Sequence, residues 1–148
     1  MKIYSDTDAL PVPLRDVLFK VAEREKIIIL FVAAYAPRFT ESTYVKCIAA
    51  GNDFDAADNW IVEQVATGDL VITADILLAD RCLSLGAEVL NLKGEFFTSA
   101  NIKNALAMRD IMADLRAGGE AVGGPAPFSD KHREKFTNAL NRFLQRKR

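Results

Sequence analysis

Four aspartates in three separate stretches of the chain are the side chains best suited to chemistry. Asp6 and Asp8 lie near the N-terminus, Asp58 near the middle, and Asp75 after the apolar run Leu70–Thr73. If they converge, their like charges are unfavourable unless protons or a divalent cation compensate. Carboxylate oxygens suit Mg²⁺ or Mn²⁺, with water and a substrate phosphate completing the coordination shell. Because such an ion lowers the pKa of bound water, metal-dependent phosphodiester hydrolysis is the reaction that this chemistry would serve.

Each of these acids also has a purely structural explanation. Asp75 directly precedes a helical pattern and could be an N-cap that accepts hydrogen bonds from the first turn. Asp55 and Asp58 could form a capping pair at the start of their helix. The segment Asp6–Asp8 could be an Asx turn before a helix, and Asp80, one turn beyond Asp75, is expected to face solvent. The residues alone leave these alternatives open.

The elements that must position the aspartates alternate between strands and helices. The run Leu70–Thr73 is typical of a short strand that is buried on both faces. Alternating elements imply βαβ units, and hence an α/β fold with three α/β/α layers and a mainly parallel sheet of about five strands. If the strand order reverses near the first and fourth strands, Asp6 and Asp75 share one edge of the sheet, where ligands bind in such folds. The predicted strands are 2–5, 27–32, 44–49, 70–73 and 87–90; the predicted helices begin near residues 11, 55, 76, 100 and 129, and 91–98 is a predicted loop.

Length and composition indicate an ordinary globular protein. The 148 residues, half of them hydrophobic, predict a single domain over residues 1–148. A Gly/Pro-rich linker is expected at 118–127, before a C-terminal helix at 129–145. No apolar run reaches the roughly 18 residues of a membrane span, and no signal peptide is evident.

Cysteine usage and charge set further expectations. Cys47 and Cys82 lie far apart in apolar segments, which favours buried free thiols in a reducing cytoplasm. The net charge of −1 provides no general attraction to nucleic acid. A cytoplasmic location is therefore expected, and any contact with a polyanion would have to be local.

Five segments, distributed in order along the whole chain, carry a family resemblance. They are Ile3–Val12, Phe54–Glu63, Gly68–Asp75, Leu106–Asp110 and Gly123–Ser129. Together they resemble the YaiI/YqxD family, a set of uncharacterised bacterial proteins.

That family is in turn similar to PIN-like domains, which are metal-dependent nucleases with a parallel sheet and a carboxylate pocket. The similarity depends on Asp6, on Asp58–Ile61 and on Ile72–Asp75. It implies that Asp6, Asp58 and Asp75 hold Mg²⁺ or Mn²⁺. Asp8 would orient water or complete the shell, so all four aspartates are candidate catalytic residues.

The chain departs from the family pattern at three positions. It has Leu10 where the family usually has cysteine, Asn59 where it has a second aspartate, and Ala34 where it has asparagine. Asn59 removes a charge beside Asp58 and so puts metal affinity in doubt, and Leu10 argues against thiol chemistry.

Basic residues provide few candidates for phosphate binding. Arg109 and Asp110 are helical neighbours that are expected to point in different directions. Arg109 could therefore reach the pocket as a phosphate clamp or pair with another acid. Lys93 and Arg38 could line the same edge, although a solvated surface is favoured for both.

Two functions from different classes follow. The first is a Mg²⁺- or Mn²⁺-dependent nuclease that acts on RNA or single-stranded nucleic acid, despite a sparse basic surface. The second is a non-catalytic binding or regulatory module that keeps the PIN-like fold without its chemistry. A phosphatase or flavodoxin-like nucleotide-binding protein is disfavoured, because no Gly-rich phosphate loop follows a strand. No membrane partner is expected, and homo-oligomer formation stays open.

Overall fold

The computed structural model describes residues 1–119 and 127–147 and contains one six-stranded sheet between two layers of helices. Its strands are β1 (Ile3–Asp6), β2 (Ile29–Ala33), β3 (Val45–Ala49), β4 (Leu70–Ile72), β5 (Glu88–Leu90) and β6 (Phe96–Phe97). Its helices are α1 (Val12–Glu25), α2 (Ala56–Gln64), α3 (Ile76–Ser84), α4 (Ile102–Ala117) and α5 (Asp130–Lys147).

The strand order is β3-β2-β1-β4-β5-β6. The pairs formed among β1 to β5 are all parallel, and the pair of β5 with β6 is antiparallel. Ile3 of β1 lies opposite Leu70 of β4, and Ser5 lies opposite Ile72. The expected reversal of strand order between the first and fourth strands is therefore confirmed, and the carboxyl ends of β1 and β4 are adjacent.

Two hydrophobic cores lie on opposite faces of the sheet because neighbouring residues of a strand point to opposite sides. Ile3 and Phe31 face α1 and α5, whereas the next residues, Tyr4 and Val32, face α2 and α3. All four of these side chains are at most 3% exposed. The predicted three-layer α/β/α architecture is confirmed.

The region after β5 differs from the expected loop at 91–98. The Asn91 N–H donates to the Glu95 carbonyl at 2.8 Å, and the Asn91 side chain accepts from the Lys93 and Glu95 N–H groups, both at 2.9 Å. These bonds close a tight hairpin that pairs β6 with β5, and the ring of Phe96 packs 5.9 Å from that of Phe143 on α5. A strand of two residues is too short to leave a sequence pattern, so its prediction as loop was wrong.

The C-terminal helix covers Asp130–Lys147, two residues further than expected. Most of the predicted linker, residues 120–126, lies outside the described residues. None of the helices described here has the length and apolar character needed to cross a bilayer.

Candidate functional site

At the carboxyl ends of β1 and β4, the Thr73 hydroxyl forms hydrogen bonds with two of the predicted site residues, Asp6 and Asp75. Asp6 is the last residue of β1, and its Oδ2 accepts a hydrogen bond of 2.8 Å from the Thr73 hydroxyl. The same hydroxyl oxygen accepts from the Asp75 N–H at 3.0 Å. Thr73 is completely buried, so it fixes the Asp6 carboxylate relative to the start of α3.

Asp75 is the N-cap of α3, as its structural interpretation proposed. Its Oδ1 accepts hydrogen bonds from the N–H groups of Leu77 at 2.9 Å and Leu78 at 3.1 Å. Capping is not its only interaction, because the charge of Asp75 and a side-chain hydrogen bond to it both raise the pKa of Asp58. Two carboxyl groups can share such a bond only when one of them carries a proton.

Asp58 holds that proton more tightly than an ordinary aspartate. Burial raises its pKa from 3.8 to about 6, with further contributions from the charges of Asp75, Asp6 and Asp55 and from the hydrogen bond with Asp75. The predicted capping pair is wrong: Asp55 occupies the N-cap position of α2 in the left-handed region, at φ 58°, and its side chain makes no capping bond. Asp55 therefore does not cap α2 through its side chain, and Asp58 is not part of a capping pair with it.

Asp6 belongs to the same group of repelling charges. Burial raises its pKa, the Thr73 hydrogen bond opposes that rise, and the negative charges of Asp75 and Asp8 add to it. The structure thus brings Asp6, Asp8, Asp58 and Asp75 close enough to interact, although they come from three distant stretches of the chain. We call these four residues the aspartate group.

A polar cleft of about 250 Å³ opens beside this group, and we call it the acidic cleft. Three members of the aspartate group line it, whereas Asp75 does not. The lining residues are Asp6, Asp8, Ala34, Gly51, Asn52, Asp53, Asp55, Ala56, Ala57 and Asp58.

Sequence reasoning missed the contribution of Asn52 and Asp53 to this lining. Both lie after β3 in the turn that begins with Gly51, whose φ of 99° is readily adopted only by glycine. Their position after a parallel strand was a signal that the sequence offered, because such residues meet at the carboxyl edge of the sheet.

One of the three departures from the family pattern lines the cleft, and the other two do not. Asn59 does not line it; the Asn59 side chain is exposed and accepts a hydrogen bond of 2.9 Å from Arg81. Leu10 packs against the core around α1 and α5. Only Ala34 is part of the lining, so the expected effect of Asn59 on the site is weaker than its position beside Asp58 suggested.

Arg109 is not brought to the acidic cleft. It lies exposed on α4, and its Nη1 is 3.7 Å from Oδ1 of Asp110. The expectation that these neighbours point apart was wrong. Arg38 is exposed, whereas Lys93 is half-buried rather than fully solvated.

The donor chemistry of the aspartate group fits a hard divalent cation, because carboxylate oxygens are the ligands that Mg²⁺ and Mn²⁺ prefer. The present arrangement is not a finished coordination site. Within residues 1–119 and 127–147, no three Asp, Glu, His or Cys side chains are already arranged to hold a metal ion. A cation would have to compete with the proton that Asp58 binds with a pKa of about 6.

Comparisons with known proteins cover almost the whole chain. A family model described as "Uncharacterized BCR, YaiI/YqxD family" matches residues 4–146. A UPF0178 protein of Solidesulfovibrio magneticus is 48% identical over 98% of this chain and 97% of its own length. A UPF0178 protein of Shewanella amazonensis is 47% identical over 99% of this chain and 98% of its own length. These printed names state no activity, and no solved structure matches the chain significantly.

Proposed function

This chain belongs to the YaiI/YqxD family, and we propose that it is a Mg²⁺- or Mn²⁺-dependent nuclease that hydrolyses phosphodiester bonds in RNA or single-stranded nucleic acid. The observation that carries the proposal is the aspartate group at the point where the strand order reverses. Ligands of open α/β sheets bind at this edge. The similarity of the family to PIN-like nucleases points to the same chemistry.

Burial and mutual repulsion support a ligand-binding role over a purely structural one. Four carboxyl groups that only stabilised the fold would be separated or paired with basic residues, because closely spaced like charges are unfavourable. Here the pKa values of Asp6 and Asp58 are both raised. Strongly perturbed acids beside a cleft are candidates for function on physical grounds.

In the proposed mechanism, Asp6, Asp58 and Asp75 would hold the ion. When bound, the ion supplies positive charge and lowers the pKa of a water molecule. Thr73 keeps the Asp6 carboxylate in place through its 2.8 Å hydrogen bond. Asp8, which is exposed and lines the acidic cleft, orients the attacking water and accepts its proton.

The protonation of Asp58 predicts a pH dependence. Its pKa of about 6 means that the residue carries a proton below that pH and becomes available as a ligand above it. Cleavage should therefore increase as the pH rises through about 6, and at a pH below about 6 Mn²⁺ should release a proton from Asp58 when it binds.

A cleavage assay with matched variants tests the proposal. The substrate is a 5′-labelled single-stranded RNA with MnCl₂ or MgCl₂ in excess over the protein, and EDTA provides the blank. Asp58→Asn and Asp75→Asn each remove one charge, and asparagine keeps the ability of residue 75 to cap α3. Asp114→Asn is the control, because Asp114 is exposed on α4 and does not line the acidic cleft.

The expected result is metal-dependent cleavage by the wild type and by Asp114→Asn, with a loss of about 100-fold or more in the other two variants. Absence of cleavage with both metals would contradict the proposal, and negligible calorimetric heats of Mg²⁺ and Mn²⁺ binding would contradict the metal site as well. A non-catalytic module would then be the better description.

A further inference from the structure

A second cavity, of about 450 Å³, is lined in part by residues that adjoin two members of the aspartate group in the chain. Ala9, the residue after Asp8, contributes to its wall. Ala74 and Ile76, the neighbours of Asp75 on either side, contribute as well. We call this cavity the apolar pocket. The wall of the apolar pocket therefore contains the chain neighbours of Asp8 and Asp75.

The lining of the apolar pocket combines aromatic rings with one cation. Phe97 of β6 and the half-buried Phe128 supply the rings. Lys93 is the only charged residue among the described residues of the wall. No described acid forms an ion pair with it, and the Asn91 side chain holds the backbone N–H of Lys93 at 2.9 Å. The lysine is thus carried by an ordered hairpin and has its charge free for a ligand.

We propose that the apolar pocket binds one nucleotide unit, with the base between the aromatic and aliphatic walls and its phosphate at the Lys93 amine. Flat rings stack on aromatic side chains in single-strand-binding sites, largely independently of base identity. The volume is in the range of sites for small organic ligands. A purely apolar ligand would leave the half-buried cation of Lys93 unmatched, whereas a phosphate would neutralise it.

The identification of this nucleotide as part of the substrate rests on the proposed nuclease function, whereas nucleotide binding itself does not. In a substrate strand, the bound unit would place its neighbouring phosphodiester next to Asp8 and Asp75. The pocket would therefore position the strand, and the aspartate group would act on the adjoining bond. This arrangement also supplies positive charge at an edge of the sheet that is otherwise acidic.

Calorimetric titration of adenosine 5′-monophosphate in EDTA tests the inference without metal or cleavage. Lys93→Met removes the charge and retains the aliphatic stem; Lys103→Met, at an exposed position of α4, is its matched control. Phe128→Ala removes one ring, and Phe128→Leu keeps an apolar side chain if the alanine variant fails to fold. Adenosine and inorganic phosphate separate the contributions of base and phosphate.

The expected result is saturable binding of the monophosphate that weakens about tenfold or more in Lys93→Met. Phe128→Ala or Phe128→Leu should weaken it by about five-fold or more, and Lys103→Met should bind as the wild type does. No saturation by the monophosphate, or equal binding by Lys93→Met and Lys103→Met, would overturn the inference. If the monophosphate binds as expected but RNA is never cleaved with Mn²⁺, the nuclease proposal fails and the nucleotide site stands. Cleavage without monophosphate binding gives the reverse conclusion.

Discussion

Replacing Asp58 by asparagine should stabilise the folded protein at neutral pH. The folded state holds the Asp58 proton with a pKa of about 6, against 3.8 for an ordinary aspartate. For a carboxyl group whose pKa is raised by folding, the native state binds more protons than the unfolded state, so stability falls as the pH rises between the two values. Asparagine cannot ionise, and Asp58→Asn therefore removes this loss.

The size of the effect follows from the same two pKa values. A rise from 3.8 to about 6 corresponds to about 3 kcal/mol, at about 1.4 kcal/mol per pH unit. Asp58 is partly exposed, and solvent screening reduces that figure to about 1–2 kcal/mol. At pH 7.5 this is a rise in melting temperature of about 3–6 °C for a chain of this size. At pH 4 the gain should be about 0.5 kcal/mol or less, because much of the unfolded chain is then protonated too.

Thermal unfolding of the wild type, Asp58→Asn and Asp114→Asn at pH 4 and pH 7.5 provides the assay. Asp114 is exposed on α4, and its substitution controls for the general loss of one negative charge. An Asp58→Asn protein that melts no higher than the wild type at pH 7.5 would refute the reasoning. A gain of equal size at both pH values would refute it as well, since it would have another origin than ionisation.

Three further predictions concern the structure around the site and the cores. Thr73→Val removes the hydroxyl that bonds Asp6 and Asp75, and urea unfolding should show a free energy of unfolding lower by about 1–3 kcal/mol. This loss of stability should be larger at pH 7.5 than at pH 4, and a loss independent of pH would contradict a bond to the ionised carboxylate. Gly94→Ala should destabilise the folded protein by about 3 kcal/mol or more, because the φ of Gly94 is +87° and a Cβ there would lie 2.5 Å from the backbone carbonyl carbon of Lys135. Unchanged urea unfolding would contradict this close contact between Gly94 and α5. Phe31→Ala, at a fully buried position between β2 and α1, should cost about 3–5 kcal/mol, and a loss below about 1 kcal/mol would argue against the described core.

Much of the fold could be predicted because its strands are strongly patterned. The apolar runs that became β2 and β4 are buried on both faces, which is typical of central parallel strands. The position of the reversal between β1 and β4 was an assumption, since pairing partners are not encoded in the pattern of one strand. Strand β6 was missed because its two residues are too few to form a pattern, and because its contact with Phe143 of α5 joins distant parts of the chain.

The candidate site was predictable as a set of residue types and only partly as an arrangement. Acids at strand ends pointed to Asp6 and Asp75, which the structure connects through the Thr73 hydroxyl, and Asp58 lies close enough to both for their charges to raise its pKa. The side chain of Asn59 proved to bond Arg81 away from the cleft, a direction that sequence spacing on a helix does not determine. The sequence favoured a solvated Lys93, whereas the residue is half-buried. Its burial involves Phe97 of β6 and Phe128, which is distant in the chain, so the sequence around Lys93 does not reveal it.

The most direct test of the central claim is the anomalous diffraction of crystals soaked with MnCl₂ at pH 7.5. The account predicts one strong manganese peak about 2.1 Å from carboxylate oxygens of Asp6, Asp58 and Asp75, and its absence in Asp58→Asn crystals soaked in the same way. No peak at these residues in the wild type, or a peak that is unchanged in Asp58→Asn, would contradict it.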